Sequence, residues 1–330
     1  MIFVAKAPYR ISLLGGGSDL EWFVADHGYG VALGCAIDKY SAVVITPSQS
    51  QSKRGTLNYS SREEYIDVNS ISHPLIRSAL LRLGVSVPIE MASFGEASGG
   101  SGLGGSSSFL VALISALSLM QQTPISTSDA ASLASMIEIK DLSKPIGRQD
   151  QYLCALGGIN ALRFDANIEP TRLDISQSED VLASFCESLI IVPTGQTRSS
   201  SEVLSRLHAD PKQSVSVILS LRKVAESFIE DYLFKPVNSD VIHDALENAM
   251  ITAWRLKKNL PGVMNSKLTE LEETLTKSGL TVLKLLGAGG GGYFLCKPTK
   301  LFSHSQITRT LDICLNPVVV SRYGCQSWTL

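Results

Sequence analysis

The spacing of hydrophobic and polar positions changes several times along the chain, and each change predicts an element. IFVAK and RISLL, on either side of Pro8, read as strands; VALGCAI and SAVVIT read as a hairpin, and VPIEMASF as a further strand. Apolar residues three and four apart predict helices in HPLIRSALLRLG, SSFLVALISALSLM and SDAASLASMIEIKDL, the last two opening on Ser or Asp. GRQDQYLCALGG opens a short helix, and INALRF and TRLDI return to strand. From about Ser188 the order becomes strand (SLIIVPTG), several helices, two strands (TVLKLLG, GYFLCK), a helix (SQITRTLDICL) and a strand (PVVVSR). Interleaving of this kind predicts an α+β fold built on antiparallel sheet. The 330 residues suit about two domains, and the polar stretch DISQSED sets the expected boundary, giving units 1–185 and 186–330.

Composition narrows the class. Hydrophobic residues make up 44% and charged residues 18%, as in ordinary globular chains. A net charge of -2 with no run of Lys and Arg argues against a nucleic-acid partner. No apolar stretch approaches the ~18 residues of a membrane span, and MIFVAKAPYR lacks the apolar core of a signal peptide. No membrane association is expected, and the expected location is cytoplasmic. The six cysteines form no CxxC pair, which suggests reduced thiols, and the five histidines form no metal-spaced set. Nothing in the pattern specifies an oligomeric state.

The densest chemical signal is EASGGSGLGGSSSFL. Five glycines and five serines fall between Ser98 and Ser108, and an apolar helix follows at once. A strand, a glycine loop and a helix start form an anion site, because unhindered N–H groups and the helix dipole face the same point. A Walker A loop is excluded, since Gly-Lys occurs nowhere in the chain. Gly100-x-Gly102-x-x-Gly105 satisfies GxGxxG, but so does Gly287-x-Gly289-x-x-Gly292, and neither has the second strand and acidic residue of a dinucleotide fold. A flexible linker is the alternative, weakened by the core helix directly behind the loop.

GSGLGGSSS resembles the nucleotide-binding motif of the GHMP kinases. APYRISLLGGGSD at 7–19 resembles that family's first motif and KLLGAGGGGYFL at 284–295 its last, in the same order. Glu96-Ala97 stand where many members have Pro, and Gly105 where many have a first Ser. The resemblance implies a two-domain fold, a ribosomal-S5-like N-terminal domain and a ferredoxin-like C-terminal domain, with ATP and Mg²⁺ as cofactors. It implies that Ser98, Gly99, Gly100, Ser101, Gly102, Leu103, Gly104, Gly105, Ser106 and Ser107 cradle the phosphates. Ser106 and Glu138 are the expected Mg²⁺ ligands, Asp150 the catalytic base and Arg10 the residue that neutralises charge near it. Read without the family, Glu138 is a helix carboxylate and Asp150 a dipole-stabilising residue at a helix start. Arg148 is a candidate to hold Asp150 ionised or to contact phosphate.

The resemblance further assigns Gly16, Gly17, Ser18 and Asp19, with Gly289 and Gly290, to the substrate. GGGSD, TGQTRSSSE at 194–202, WRLKKNLPGV at 254–263 and GRQDQY at 147–152 resemble the branch of the family that acts on heptose phosphates. The implied reaction phosphorylates the anomeric hydroxyl of such a sugar phosphate. Its far phosphate would be gripped by Arg198, whose guanidinium can bind two oxygens at once, with Lys257 and Lys258 as second candidates. A kinase for another sugar, galactose- or fucose-like, and a catalytically silent sugar- and ATP-binding module stand as alternatives.

Overall fold

The computed structural model describes residues 1–49, 54–97, 100–197, 203–205, 211–299 and 315–330. The chain runs β1 (Phe3–Leu14), α1 (Glu21–His27), β2 (Tyr29–Pro47), β3 (Gly55–Asn58), β4 (Arg62–Tyr65), α2 (Pro74–Arg82), β5 (Ile89–Gly95), α3 (Gly105–Met120), α4 (Thr127–Met136), α5 (Gln149–Leu156), β6 (Ile159–Asp165) and β7 (Thr171–Leu173). It continues through α6 (Glu179–Glu187), β8 (Ile190–Pro193), α7 (Pro211–Phe228), α8 (Ser239–Lys257), α9 (Ser266–Lys277), β9 (Leu280–Leu285), β10 (Tyr293–Pro298), β11 (Asn316–Pro317) and β12 (Gln326–Thr329).

Two sheets organise these elements. The first has the order β12-β1-β2-β5-β3-β4, with β6 and β7 continuing from β2; the second is antiparallel, in the order β11-β8-β10-β9. The last strand, β12, therefore pairs with the first, from Phe3 opposite Thr329 to Lys6 opposite Gln326. The expected break at Pro8 and the expected hairpin after Ile37 are both absent. β1 and β2 are single long strands, and the ladder between them slips so that Pro8 faces Tyr40 while Tyr9 faces Ile37. Asp38 and Lys39 bulge out at the slip, and other groups take up the freed backbone there. Asp38 N–H donates to Val319 O at 2.8 Å, and Tyr40 N–H donates to Glu96 Oε1 at 2.9 Å.

α3 is apolar on most of its circumference and packs on β1 and β2 of the first sheet, with Leu110, Val111, Leu113, Ile114 and Leu117 fully buried. Each such side chain contributes about 1.5–3 kcal/mol on removal from water. The helix is thus a fixed post, and what sits at its N-terminus is held rigidly. The predicted helix over 128–142 stops at Met136 and gives way to a wider π-helical turn, Ile137–Asp141. That turn rotates Glu138 inward, to 1% exposure. Most of SQITRTLDICL lies outside the described residues, and the last predicted strand is reduced to β11 and a bridge from Val320 to Ile37. No helix among the described residues is long and apolar enough to cross a membrane.

Candidate active site

The glycine loop ends on Gly104, whose left-handed backbone (φ +77°) turns the chain into α3. Gly102 is also left-handed (φ +78°), and a Cβ there would lie 2.6 Å from Leu286 O. The object that approaches this loop is the second glycine loop. A Cβ on Gly287 would meet Gly102 Cα at 2.7 Å, and one on Gly292 would meet Ser101 O at 2.4 Å. Gly289 and Gly291 are crowded in the same way by Val263 and by Gln196 O. Protein atoms already fill the Cβ side of Gly289 and Gly291, which accounts for glycine at these two positions. Gly290 N–H donates to Val263 O. Ser98 and Gly99 lie outside the described residues; Leu103 is fully buried and its carbonyl accepts from Arg10 N–H.

At the start of α3, Ser106 Oγ and Ser107 Oγ each donate to one oxygen of Glu138 at 2.8 Å. Gln151 Nε2 donates to Glu138 Oε2 at 2.6 Å, and Lys144 Nζ reaches Glu138 Oε1 at 2.9 Å and Ser106 Oγ at 3.3 Å. A carboxylate this buried is tolerated only with such a shell of donors. Glu138 is therefore no solvated helix residue.

Arg10 projects from β1 and is 4% exposed. Its Nε donates to Asp150 Oδ1 at 2.7 Å, a second guanidinium nitrogen grips Asp150 Oδ2, and Nη1 donates to Gly102 O at 2.6 Å. Burial alone would lower its pKa, but Asp150's charge and hydrogen bonds more than reverse this, so Arg10 stays cationic. One guanidinium thus ties the first motif, the glycine loop and α5 together. Arg148 does not share the task. It donates to Ile168 O and Asp165 O, turned away from Asp150.

Asp19 lies beside this pair, but its carboxylate is already engaged. Gln149 N–H and Gln149 Nε2 donate to it at 3.0 and 2.8 Å, and Gly17 N–H donates at 3.1 Å. Burial raises its pKa, against the hydrogen bond from Gln149 N–H, and Asp150's charge adds to the rise. Ser18 is fully buried; its hydroxyl has Gly15 O and Val31 O as acceptors for its one proton and accepts from Val31 N–H, so it holds a turn. Gly16 and Gly17 line the cavity.

These groups surround one cavity of about 460 Å³, lined by Arg10, Asp19, Ser106, Glu138, Lys144 and Asp150, and walled by Leu20, Ile218, Leu221 and Trp254. Four lining residues escaped the sequence reading in whole or in part. Gln149 presents a buried Oε1 without a hydrogen-bond partner. Lys144 completes the Glu138 cluster. Lys284 is buried, and its amine lies within hydrogen-bond distance of Ser12 O, Ser12 Oγ and Leu13 O. Lys257 donates to Leu285 O at 2.9 Å and Gly287 O at 2.6 Å, leaving one proton for a third acceptor. Burial lowers the pKa of Lys257 to about 7, with help from Arg10's charge and against that of Asp150. Lys258 faces elsewhere, paired with Glu272 at 2.9 Å over the Trp254 ring. Arg198 lies outside the described residues. The nearest sequence signal for Lys144 was its place just before Pro145, where the helix carrying Glu138 must turn back.

Residues 74–158, which contain the glycine loop, Glu138 and Asp150, match the family model described as GHMP kinases N terminal domain. The chain is 24% identical to D-glycero-alpha-D-manno-heptose 7-phosphate kinase of Campylobacter jejuni, over 98% of each chain. Among solved structures it resembles a D-glycero-D-manno-heptose 1-phosphate kinase from Bacteroides thetaiotaomicron, with a TM-score of 0.75 at 21% identity over 99% of each chain. It also resembles Lactococcus lactis galactokinase complexed with galactose, with a TM-score of 0.74 at 14% identity, covering 98% of this chain and 95% of that one. The match to that family model spans residues 74–158, and the chain as a whole has the fold of these kinases.

Proposed function

We propose that the protein is an ATP-dependent sugar kinase that phosphorylates the anomeric hydroxyl of D-glycero-D-manno-heptose 7-phosphate, giving the 1,7-bisphosphate, in the cytoplasm. Residues 1–185 bind ATP, and residues 186–330 close the acceptor side. The observation that carries this reading is the meeting of an ion-paired carboxylate, Asp150, with the glycine loop and the N-terminus of α3 in one cavity.

In the transfer, the acceptor oxygen attacks the γ-phosphorus, the bond to the ADP oxygen breaks, and the hydroxyl proton passes to Asp150. Asp150 keeps 30% side-chain exposure toward solvent while Arg10 holds it in position. Gly100 to Ser107 receive phosphate oxygens at the dipole-positive end of α3. Gln149 Oε1, which has no protein partner, is placed to accept from a sugar hydroxyl. Lys257 offers its remaining proton to an anionic oxygen in the cavity, and Arg198 grips the far phosphate.

Ser106 Oγ and Glu138 Oε1 fit Mg²⁺. They are hard oxygens 2.8 Å apart, close to the edge of an octahedron with bonds of about 2.1 Å. When bound there, the ion would neutralise charge on the transferring phosphoryl group. The test is a panel of sugars and sugar phosphates with ATP, read by ADP release and product mass. Heptose 7-phosphate should gain one phosphate. Turnover of galactose or fucose alone would make the protein a kinase of a different sugar, and no turnover at all would leave a binding module.

A further inference from the structure

We infer that Lys144 is a built-in counter-ion which the metal must displace in order to bind; this rests on the metal reading of Ser106 and Glu138. The Lys144 ammonium stands 2.9 Å from Glu138 Oε1 and 3.3 Å from Ser106 Oγ, the same two oxygens assigned to the ion. Glu138 Oε2 is already committed to Ser107 and Gln151 on the inner side. Oε1 is therefore the oxygen that faces the cavity, and Lys144 covers it from there, at 26% side-chain exposure.

A divalent cation needs its oxygens at about 2.1 Å, and an ammonium hydrogen-bonds them at about 2.8 Å. Both cannot hold one pair of oxygens from one side, since the two positive charges would be nearly in contact. One must leave, and only the ammonium is tethered to the protein. Its backbone is anchored, with Lys144 N–H donating to Glu138 O at 3.0 Å and its carbonyl accepting from Ile146 N–H at 2.9 Å. Four methylenes separate that anchor from the charge, so the ammonium can swing without moving the chain. The displaced charge stays on the cavity wall, beside the helix start that receives a nucleotide's phosphates. Lys144 thus sets the metal affinity as a difference between two cations. It weakens binding of the bare ion and favours an ion that arrives with polyphosphate, whose oxygens can accept the released ammonium.

The experiment measures Mn²⁺ binding without nucleotide, by loss of the free Mn²⁺ electron-spin resonance signal. It compares the intact protein with Lys144→Met, Lys144→Gln and Glu138→Gln. Removing the competing charge from Glu138 should tighten Mn²⁺ at least about tenfold in both Lys144 variants. Without metal the same variants should melt earlier than wild type, and Mn²⁺ should restore them. Equal or weaker Mn²⁺ binding in the Lys144 variants would overturn the inference while leaving the metal site standing. Failure of every protein to bind Mn²⁺, or binding by Glu138→Gln as tight as wild type, would remove the metal site and the inference with it.

Discussion

Arg10 and Asp150 can be tested as a coupled pair. Arg10→Met keeps the length and apolar stem of the side chain but removes two charged hydrogen bonds to Asp150 and one to Gly102 O. Losing one partner of a buried ion pair costs about 3–5 kcal/mol, mainly because the other charge is stranded. Asp150 keeps 30% exposure, so water can reach it and the lower figure, about 3 kcal/mol, applies. In a chain of this size that is a fall in Tm on the order of 5 °C. Asp150→Asn retains an oxygen for the guanidinium and should cost less, about 1–2 kcal/mol, while turnover falls roughly 10²–10⁴-fold with loss of the proton acceptor. The double variant should be less unstable than the sum of the two, with a coupling of about 1.5–3 kcal/mol in a thermal-melt cycle. Additivity within about 0.5 kcal/mol would show that the contact carries no energy. Near-normal turnover by Asp150→Asn would end its role as base.

Ser106→Ala and Glu138→Gln should each raise the Mg²⁺ concentration for half-maximal rate, and unchanged titrations would reject both as ligands. Gly102→Ala should destabilise the protein by about 1–3 kcal/mol in urea titration, because φ is +78° and the new Cβ would sit 2.6 Å from Leu286 O. Lys257 gives a pH signature. With a folded pKa of about 7 against an ordinary 10.5, the native state binds one proton fewer than the unfolded chain between those values. Its cost is thus full below pH 7 and relieved as pH rises toward 10.5, so wild type should gain stability over that window relative to Lys257→Met; parallel pH–stability curves would contradict the burial. Arg198→Ala should raise KM for heptose 7-phosphate about tenfold or more and leave KM for an unphosphorylated sugar unchanged; equal effects on both would reject phosphate recognition.

Much of the site could be read from the sequence because its parts are local. The loop before α3 and the helix start at Ser106 sit in one short run whose residue types announce an anion site, whereas the carboxylates at 138 and 150 stood out only through the resemblance of their motifs. What escaped depends on contacts between distant segments. Lys284 was invisible as a cavity residue because its setting is the backbone of Ser12 and Leu13, far away in the chain. Asp19 was legible as a special residue but not as one satisfied by Gln149, since that requires β1 and α5 to be adjacent. The length of β2 was missed because Asp38 and Lys39 look like a turn; the interruption is real but stays a bulge once β1, Val319 and Glu96 hold either side. For the second glycine loop the composition was legible but its packing against the first was not, because a sequence does not say which distant backbone lies alongside.

The contact between the two glycine loops has a temporal consequence. Gly102 and Gly287 belong to opposite thirds of the chain, and their backbones touch with no side chain between them. Closing such a contact demands a large loss of chain entropy and comes late in folding. During synthesis the anion loop leaves the ribosome long before the segment that braces it. A nascent or truncated chain ending before β9 would keep every residue of the phosphate motif without the surface that shapes it. Under the proposed function, nucleotide affinity would report on the completion of the final third, and a ligand that stabilises the first glycine loop would also favour its contact with the second.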